Sequence, residues 1–460
     1  MKKYPAYKPS GVDWLGEIPS TWSVWKVSRL FKKIGSGTTP KSGITEYYEN
    51  GTIPWINTGD LNDGYLSDCS ICITQKAFDD HSTLKIYEKG TLLVAMYGAT
   101  IGKIAITKFE ACTNQACCSL VSSKLISTKF AFYWFIANKE NIINLSYGGG
   151  QPNISQDVIR SLRIPVCDIT EQQSIVRFLD HKTDQIDRFI TNRQKQIELL
   201  KEQKSAIINK AVTKGINPDS KMKPSGIDWI GEIPETWRLW KLKYLTRKIG
   251  SGVTPLGGSQ VYKAQGIAFF RSQNVYNEAF ELSNISFIDE ETHQGMMNSK
   301  IEYGDVLLNI TGASIGRCYF YSGEYPEANV NQHVCIIRSN KRILFKFLHL
   351  VMISEIGQNQ IFSKQSGTNR EGLNFEQLKQ FDIPLPSKPE QQAILNHIES
   401  ETSTIDTLIS KYQKQIDLMQ EYRTSLISQA VTGKIDVRDW QPKTGKHLKE
   451  QWTMVVTSTN

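Results

Sequence analysis

The sequence predicts a mixed α/β protein written twice: two globular domains, each followed by a long helix, with the two helices paired as an antiparallel coiled coil. Three observations lead there. Residues 8–40 and 223–255 are about two-thirds identical at a constant offset of 215. A stretch of about 45 residues from Asp168 to Thr213 contains no Gly or Pro, and its apolar positions recur in 3-then-4 steps. Short apolar runs ending in Gly, TLLVAMYG and VLLNITG, alternate with helical patterns inside each copy.

The repeat comes first because it decides the organisation. KPSGVDWLGEIPSTW is answered by KPSGIDWIGEIPETW, and KKIGSGTTP by RKIGSGVTP. The echo continues through GATIGK (98–103) and GASIGR (312–317). It then takes in Asn114-Gln115 and Asn331-Gln332, and Ile164-Pro165 and Ile383-Pro384. Units of this length far exceed solenoid repeats, so the chain is a tandem duplication. The expected segments are a globular domain over 1–166, a helix over 167–215, a second domain over 216–385, a second helix over 386–435 and a polar tail over 436–460 without a counterpart. Within the domains, 91–98 and 306–312 read as buried strands, 129–146 and 342–362 as helices. The stretches 148–153 and 366–374 read as loops from their Gly content.

Each long helix opens with a cap. Asp168 with Glu171, and Ser387 with Glu390, have capping-box spacing. The stripe Ile175, Leu179, Ile186, Phe189, Ile197, Leu200, Ile207 and Ala211 is repeated, at an offset of 219, by Ile394, Ile398, Ile405, Leu408, Ile416, Met419, Leu426 and Ala430. A helix of 45 residues is roughly 65 Å long. The link between the first helix and the second domain is about ten residues, which reaches at most about 35 Å. A parallel pair would require the link to run back along the helix, so the pairing is antiparallel. Lys182, Arg193 and Lys204 interrupt the stripe, lining up with Glu401, Tyr412 and Arg423, and read either as ion-paired seam positions or as a surface shared with another protein.

Charge and motifs narrow the function. Net charge is +8 with 22% charged residues, compatible with nucleic acid. The N-terminus lacks an apolar signal core and no run of about 18 apolar residues occurs, so no membrane partner and a cytoplasmic location are expected. Cys69 and Cys72 form a lone C-x-x-C in a strand-like alternation, read as packing rather than zinc. GATIGK is not a phosphate loop: three residues separate its glycines and Ile follows the Lys. There is no H-E-x-x-H, no G-x-S-x-G and no N/D-P-P-Y/F tetrapeptide. No catalytic motif remains. The loops PWINTGDLN and AFFRSQNVY align with one another, setting Asn57, Thr58 and Asp60 opposite Arg271, Ser272 and Asn274. Arg, Asn and Asp can read base edges in the major groove.

Taken together, the duplicated W-L/I-G-E-I-P-x-T-W leader, the K-I-G-S-G-x-T-P loop, the G-A-T/S-I-G-K/R element, the Ile-Pro exit and the E-Q-Q opening each long helix resemble the specificity subunit (HsdS) of type I restriction-modification enzymes. The resemblance covers the chain apart from its tail. It implies two target recognition domains, each reading half of a bipartite site in double-stranded DNA, with the helices acting as ruler and docking platform. It implies two methylation subunits (HsdM), carrying S-adenosylmethionine, and two restriction subunits (HsdR), with ATP and magnesium. This chain itself would hold no cofactor, no metal and no catalytic residue. Base readers should then lie where the copies differ: Asn57, Thr58, Asp60, Arg271, Ser272, Gln273 and Asn274. Candidate backbone contacts are the shared positions Lys33, Ser36 and Lys103 with Lys248, Ser251 and Arg317. Trp14, Trp22, Trp229 and Trp237 are structural or interfacial. Two other readings stand beside this one: a specificity subunit of a type IIB-like enzyme, and a two-headed protein-interaction scaffold.

Overall fold

The computed structural model describes residues 2–146, 153–363 and 372–442. The loops expected over 148–153 and 366–374 fall mostly outside these. The chain divides into two compact units: Met1–Gln194 with Gln413–Asn460, and Lys195–Tyr412. The two long helices, Ile169–Lys214 and Lys388–Val431, each contribute to both units.

The first unit is built on a sheet ordered Phe31–Gly35, Cys117–Ser122, Leu92–Ala95, Ile104–Thr107 and Gly64–Leu66. Its first three strands are antiparallel neighbours, and Gly64–Leu66 adds in parallel at the edge. A smaller sheet sets Ile53–Ile56 between Cys72–Ile73 and Cys112–Thr113. The second unit repeats the plan. Thr246–Ser251, Val334–Ser339, Asp305–Asn309 and Cys318–Phe320 form the larger sheet. Ile267–Phe270 lies between Ser286–Ile288 and Ala328–Val330 in the smaller one. Leu92–Ala95 and Asp305–Asn309 are buried at every position, which is why they read as continuous apolar runs.

The two expected helices inside the domains are each broken. Thr128–Ala137 ends at Asn138, whose side-chain amide donates to the Trp134 carbonyl at 2.8 Å. Phe345–Ile353 ends at Ser354, which is extended and donates its hydroxyl to the Val351 carbonyl at 2.7 Å. In both copies a short polar side chain takes over a helical carbonyl and competes with the backbone ladder.

The tryptophans of the leader separate into two classes. Trp22 and Trp237 are fully buried. Their indole N–H groups donate to Glu171 (3.0 Å) and Glu390 (2.8 Å) at the starts of the long helices. The capping boxes are therefore half-formed. Glu171 N–H donates to Asp168 at 2.9 Å, and the Thr170 hydroxyl together with that N–H holds the Asp168 carboxyl below its usual range. The Glu171 carboxylate does not return to the cap. It accepts from Trp22 and from the Tyr4 hydroxyl (2.6 Å). The next residue, Gln172 or Gln391, is also fully buried. Gln172 accepts from Ser127 N–H and donates to the Leu125 and Cys167 carbonyls. Gln391 accepts from Leu344 N–H and donates to the Arg342 and Pro386 carbonyls. E-Q-Q is thus an anchor that ties the start of each long helix to its own domain.

Within each unit the helix pair is antiparallel. In the first, Asp187 meets Arg423 at 3.1 Å, while Phe178, nearer the helix start, meets Trp440 beyond the end of its partner. In the second, Lys204 meets Asp406 at 2.6 Å. Further along the first helix, Ile208 and Ala211 share a core with Ile394 and Ile398, nearer the start of the second. The seam is ion-paired as its polar interruptions suggest, although such half-exposed pairs are worth at most about 1 kcal/mol each. The stripe buries Ile175, Leu179, Ile186, Ile197 and Ala211, while Ile207 is half-buried and Ile208 takes the core position.

The tail is held at its beginning rather than loosely. Val437 is buried, Trp440 packs on Phe178 and His181, and Asp436 N–H donates to the Lys2 carbonyl. Arg438 forks onto Asp436, and its guanidinium lies 5.0 Å from the Tyr4 ring centre. Polar composition concealed this because two apolar side chains suffice to dock so short a segment.

Candidate nucleic-acid interface

Four loops meet at one edge of each domain, held by backbone hydrogen bonds of which two recur at equivalent positions and the glycine's differs in partner. In the first unit Gly37 N–H donates to the Asn114 carbonyl (3.3 Å) and to Thr113 Oγ1 (3.2 Å). Asn114 N–H donates to Ile56, the residue before the Asn57–Asp60 turn, and Met96 N–H donates to Ala116. In the second unit Gly252 N–H reaches the Val334 carbonyl, Asn331 N–H reaches Phe270, and Ile310 N–H reaches His333. The glycine is obligatory. A Cβ on Gly37 would lie 1.8 Å from the Thr113 carbonyl oxygen, and one on Gly252 would lie 1.7 Å from that of Val330. The shared G-S-G loop is therefore explained by close backbone approach, which seats it beside the Asn-Gln turn.

The candidate readers do not all remain available. Asp60 closes its turn by accepting from Asn57 N–H (2.9 Å) and Ser70 N–H (3.1 Å). Asn274, at the aligned position, accepts from Arg271 N–H (3.0 Å) and donates to the Glu281 carbonyl (2.9 Å). Asn274 is fully buried. These two residues differ between the copies yet perform one structural task, so the assignment of Asn274 as a reader is corrected: both ends of its amide are used inside the domain. Asn57 is also engaged, accepting from Gly59 N–H and donating to Ser70. Thr58, Arg271 and Ser272 are half-buried at the edge, and Gln273 is exposed.

The basic candidates are set on aromatic rings. Lys33 Nζ lies 4.5 Å from the Tyr87 ring centre, Arg271 lies 5.4 Å from that of Tyr262, and Arg317 lies 4.5 Å from that of Tyr276. A ring beneath the cation restrains a long side chain and leaves its outer donors free to face a ligand. Arg271 Nη2 donates to the Asn284 carbonyl at 3.4 Å. Lys103, Ser36 and Ser251 are half-buried near the same loops. Lys248 does not match Lys33. Its Nζ donates to the Asn298 carbonyl at 2.6 Å, and burial, with Arg338 nearby, lowers its pKa.

Other polar side chains at this edge escaped the sequence reading. Thr39 donates to Gln115 at 2.6 Å. Thr311 pairs with His333 Nδ1 at 2.6 Å, and Gln332 meets His333 Nε2 at 3.1 Å. The signal was present: the shared Asn-Gln is followed by Ala116 in one copy and His333 in the other. An edge made of donors, acceptors and ring-supported cations suits a polyanion with readable polar groups. Among the described residues no cluster of His, Cys, Asp or Glu is arranged to hold a metal ion. The cysteines at 69 and 72 are half-buried and free.

The family model for the type I restriction modification DNA specificity domain matches twice, over residues 19–199 and 234–418. The chain belongs to this family. The two matches are the two copies of the duplication, so one specificity domain with the start of its long helix is the repeated unit. Among curated relatives, the type I restriction enzyme MjaVIII specificity subunit of Methanocaldococcus jannaschii is 24% identical over 92% of this chain and 95% of its own length. The MjaIX specificity subunit of the same organism is 25% identical over 92% and 96%. A solved chain from work on complex assembly and conformational transition of the type I R-M system superposes with a TM-score of 0.65 at 13% identity. It covers 91% of this chain and 99% of that one. That likeness shows that the two chains share a fold.

Proposed function

We propose that this chain is the DNA-recognition subunit of a type I restriction-modification complex, with each domain reading one half of a bipartite site in duplex DNA. One observation supports the reading above all. Both domains present a similar four-loop edge, in which the bonds from Asn114 to Ile56 and from Met96 to Ala116 recur as Asn331 to Phe270 and Ile310 to His333, while the side chains on it differ: Asn57 and Thr58 against Arg271 and Ser272, Gln115-Ala116 against Gln332-His333. A duplicated frame with divergent polar groups is what two different half-sites require.

On this reading the chain contributes recognition and no bond-making. Two methylation subunits bring S-adenosylmethionine, two restriction subunits bring ATP and magnesium, and the complex works in the cytoplasm. No helix among the described residues is long and apolar enough to cross a membrane. The paired helices set the spacing between half-sites. The test is a gel shift of duplex DNA by the chain with its methylation subunit across a salt series. Log affinity falling steeply and linearly with log salt supports phosphate contact. No shift at any salt concentration points instead to a protein-interaction scaffold.

A further inference from the structure

The duplication supplies an internal comparison of packing. In the first unit a phenol ties the helix Thr128–Ala137 to the long helix Ile169–Lys214. The Tyr133 hydroxyl donates to Asp180 at 2.6 Å and lies 3.4 Å from Thr183 Oγ1, while Lys129 donates to the same carboxylate at 2.8 Å. Tyr133 is only 5% exposed, so its ring fills the space between the two helices. The second unit keeps most of this setting. Ser127 and Leu344, whose N–H groups both donate to the buried glutamine at a helix start, fix a domain offset of 217. Lys346 then stands for Lys129, and at the helix offset of 219 Glu399 and Thr402 stand for Asp180 and Thr183. Thr183 and Thr402 each donate to the carbonyl one turn back at 2.8 Å, so the two helix faces present like groups. Tyr133 is not kept: its counterpart is Leu350.

Where the ring is missing, the second unit is hollow. A cavity of about 470 Å³ opens where the helix Phe345–Ile353 faces the long helices, within the range of about 300–1,000 Å³ usual for small-molecule sites. Lys346, Leu350, Glu399 and Thr402 all line it. Ile398 adds an apolar wall and Phe320 an aromatic one, Phe320 stacking on Tyr319 with ring centres 4.6 Å apart. Glu399 is exposed and, among the described residues, has no ion pair or side-chain hydrogen bond. The carboxylate that a phenol occupies in one unit is open in the other. None of the candidate base readers lines the cavity.

The lining selects the ligand. An anion would meet Glu399 and Asp406, and a cation would meet Lys201 and Lys346, so a neutral molecule fits best. Its ring needs apolar and aromatic walls, and Glu399 needs a donor; an O–H on a carboxylate makes a charge-assisted hydrogen bond. We propose that this cavity binds a small phenol, its ring between Leu350 and Phe320 and its hydroxyl donating to Glu399. The bound molecule supplies in the second unit the bridge between domain helix and long helix that Tyr133 makes within the first.

The experiment titrates the full chain with p-cresol, the tyrosine side chain as a free molecule, by isothermal calorimetry. Toluene is the same ring without the hydroxyl. One saturable site per chain is expected, with toluene at least about tenfold weaker because it leaves the carboxylate without its donor. Leu350→Tyr restores the ring of the first unit and should abolish p-cresol binding. Glu399→Gln keeps the shape, loses the charge and should weaken p-cresol by more than about fivefold while leaving toluene unchanged. Circular dichroism checks that both variants fold. In the unaltered chain p-cresol should slow hydrogen exchange in 345–353 and leave 128–137 unchanged. Absence of a saturable site overturns the proposal. So does equal affinity for toluene, undiminished binding to folded Leu350→Tyr, or protection that falls on 128–137 instead.

Discussion

Gln391→Ala tests whether the E-Q-Q element is an anchor. The side chain is fully buried and makes three hydrogen bonds, from Leu344 N–H (2.8 Å) and to the carbonyls of Arg342 (3.1 Å) and Pro386 (3.0 Å). Truncation leaves one backbone donor and two acceptors without that partner. An unsatisfied buried group costs about 1–3 kcal/mol, with carbonyls losing less than N–H groups. The cavity left by the amide adds to this, so the second unit should lose about 3 kcal/mol. Two perturbations localise the effect. Gln391→Ala should lower protection against hydrogen exchange in 342–363 and leave 125–143 unchanged, while Gln172→Ala should do the reverse. Urea unfolding followed by tryptophan fluorescence gives the magnitude. A loss below about 0.5 kcal/mol, or equal loss of protection in both segments, refutes the anchor.

Arg271→Ala should relax specificity at one position of one half-site by about 1–3 kcal/mol and leave the other half-site unchanged, as read from methylation patterns. Gly252→Ala forces a Cβ to within 1.7 Å of the Val330 carbonyl oxygen and should abolish recognition of that same half-site, with Gly37→Ala acting on the other. His349 is buried, with Nε2 facing the Asn277 and Cys318 carbonyls at 3.1 Å, and burial lowers its pKa to about 4. The unfolded side chain titrates near 6.5, so the unfolded state binds the extra proton first. Stability should fall as pH drops from about 6.5 to 4, by an amount on the order of 3 kcal/mol, and the loss should be confined to the second unit. The first unit carries Phe132 at the equivalent position and should lack this slope. Inserting one heptad within 186–207 should alter the required gap between half-sites or abolish binding, with each half-site sequence unchanged; methylation mapping of the variant decides.

The duplication, the two long helices and their antiparallel pairing were legible because they rest on periodicity and reach, which need no knowledge of side-chain partners. The strands Leu92–Ala95 and Asp305–Asn309 were legible because both faces are buried. What the sequence hid were choices between local and distant partners. Glu171 and Glu390 have capping-box spacing, but an indole more than a hundred residues away takes the carboxylate. Asp60 and Asn274 look like readers because the copies differ there, yet either residue can close the same turn. Difference between copies therefore marks candidates for reading only where the side chain is also exposed and unspent.

Methylation sequencing of a host carrying this chain and its methylation subunit measures the central claim directly. Two short, different half-sites separated by a fixed gap of unspecified bases are expected, and Arg271→Ala should alter only one of them. A single uninterrupted motif, or a change in both halves from that one substitution, would contradict two independent reading domains.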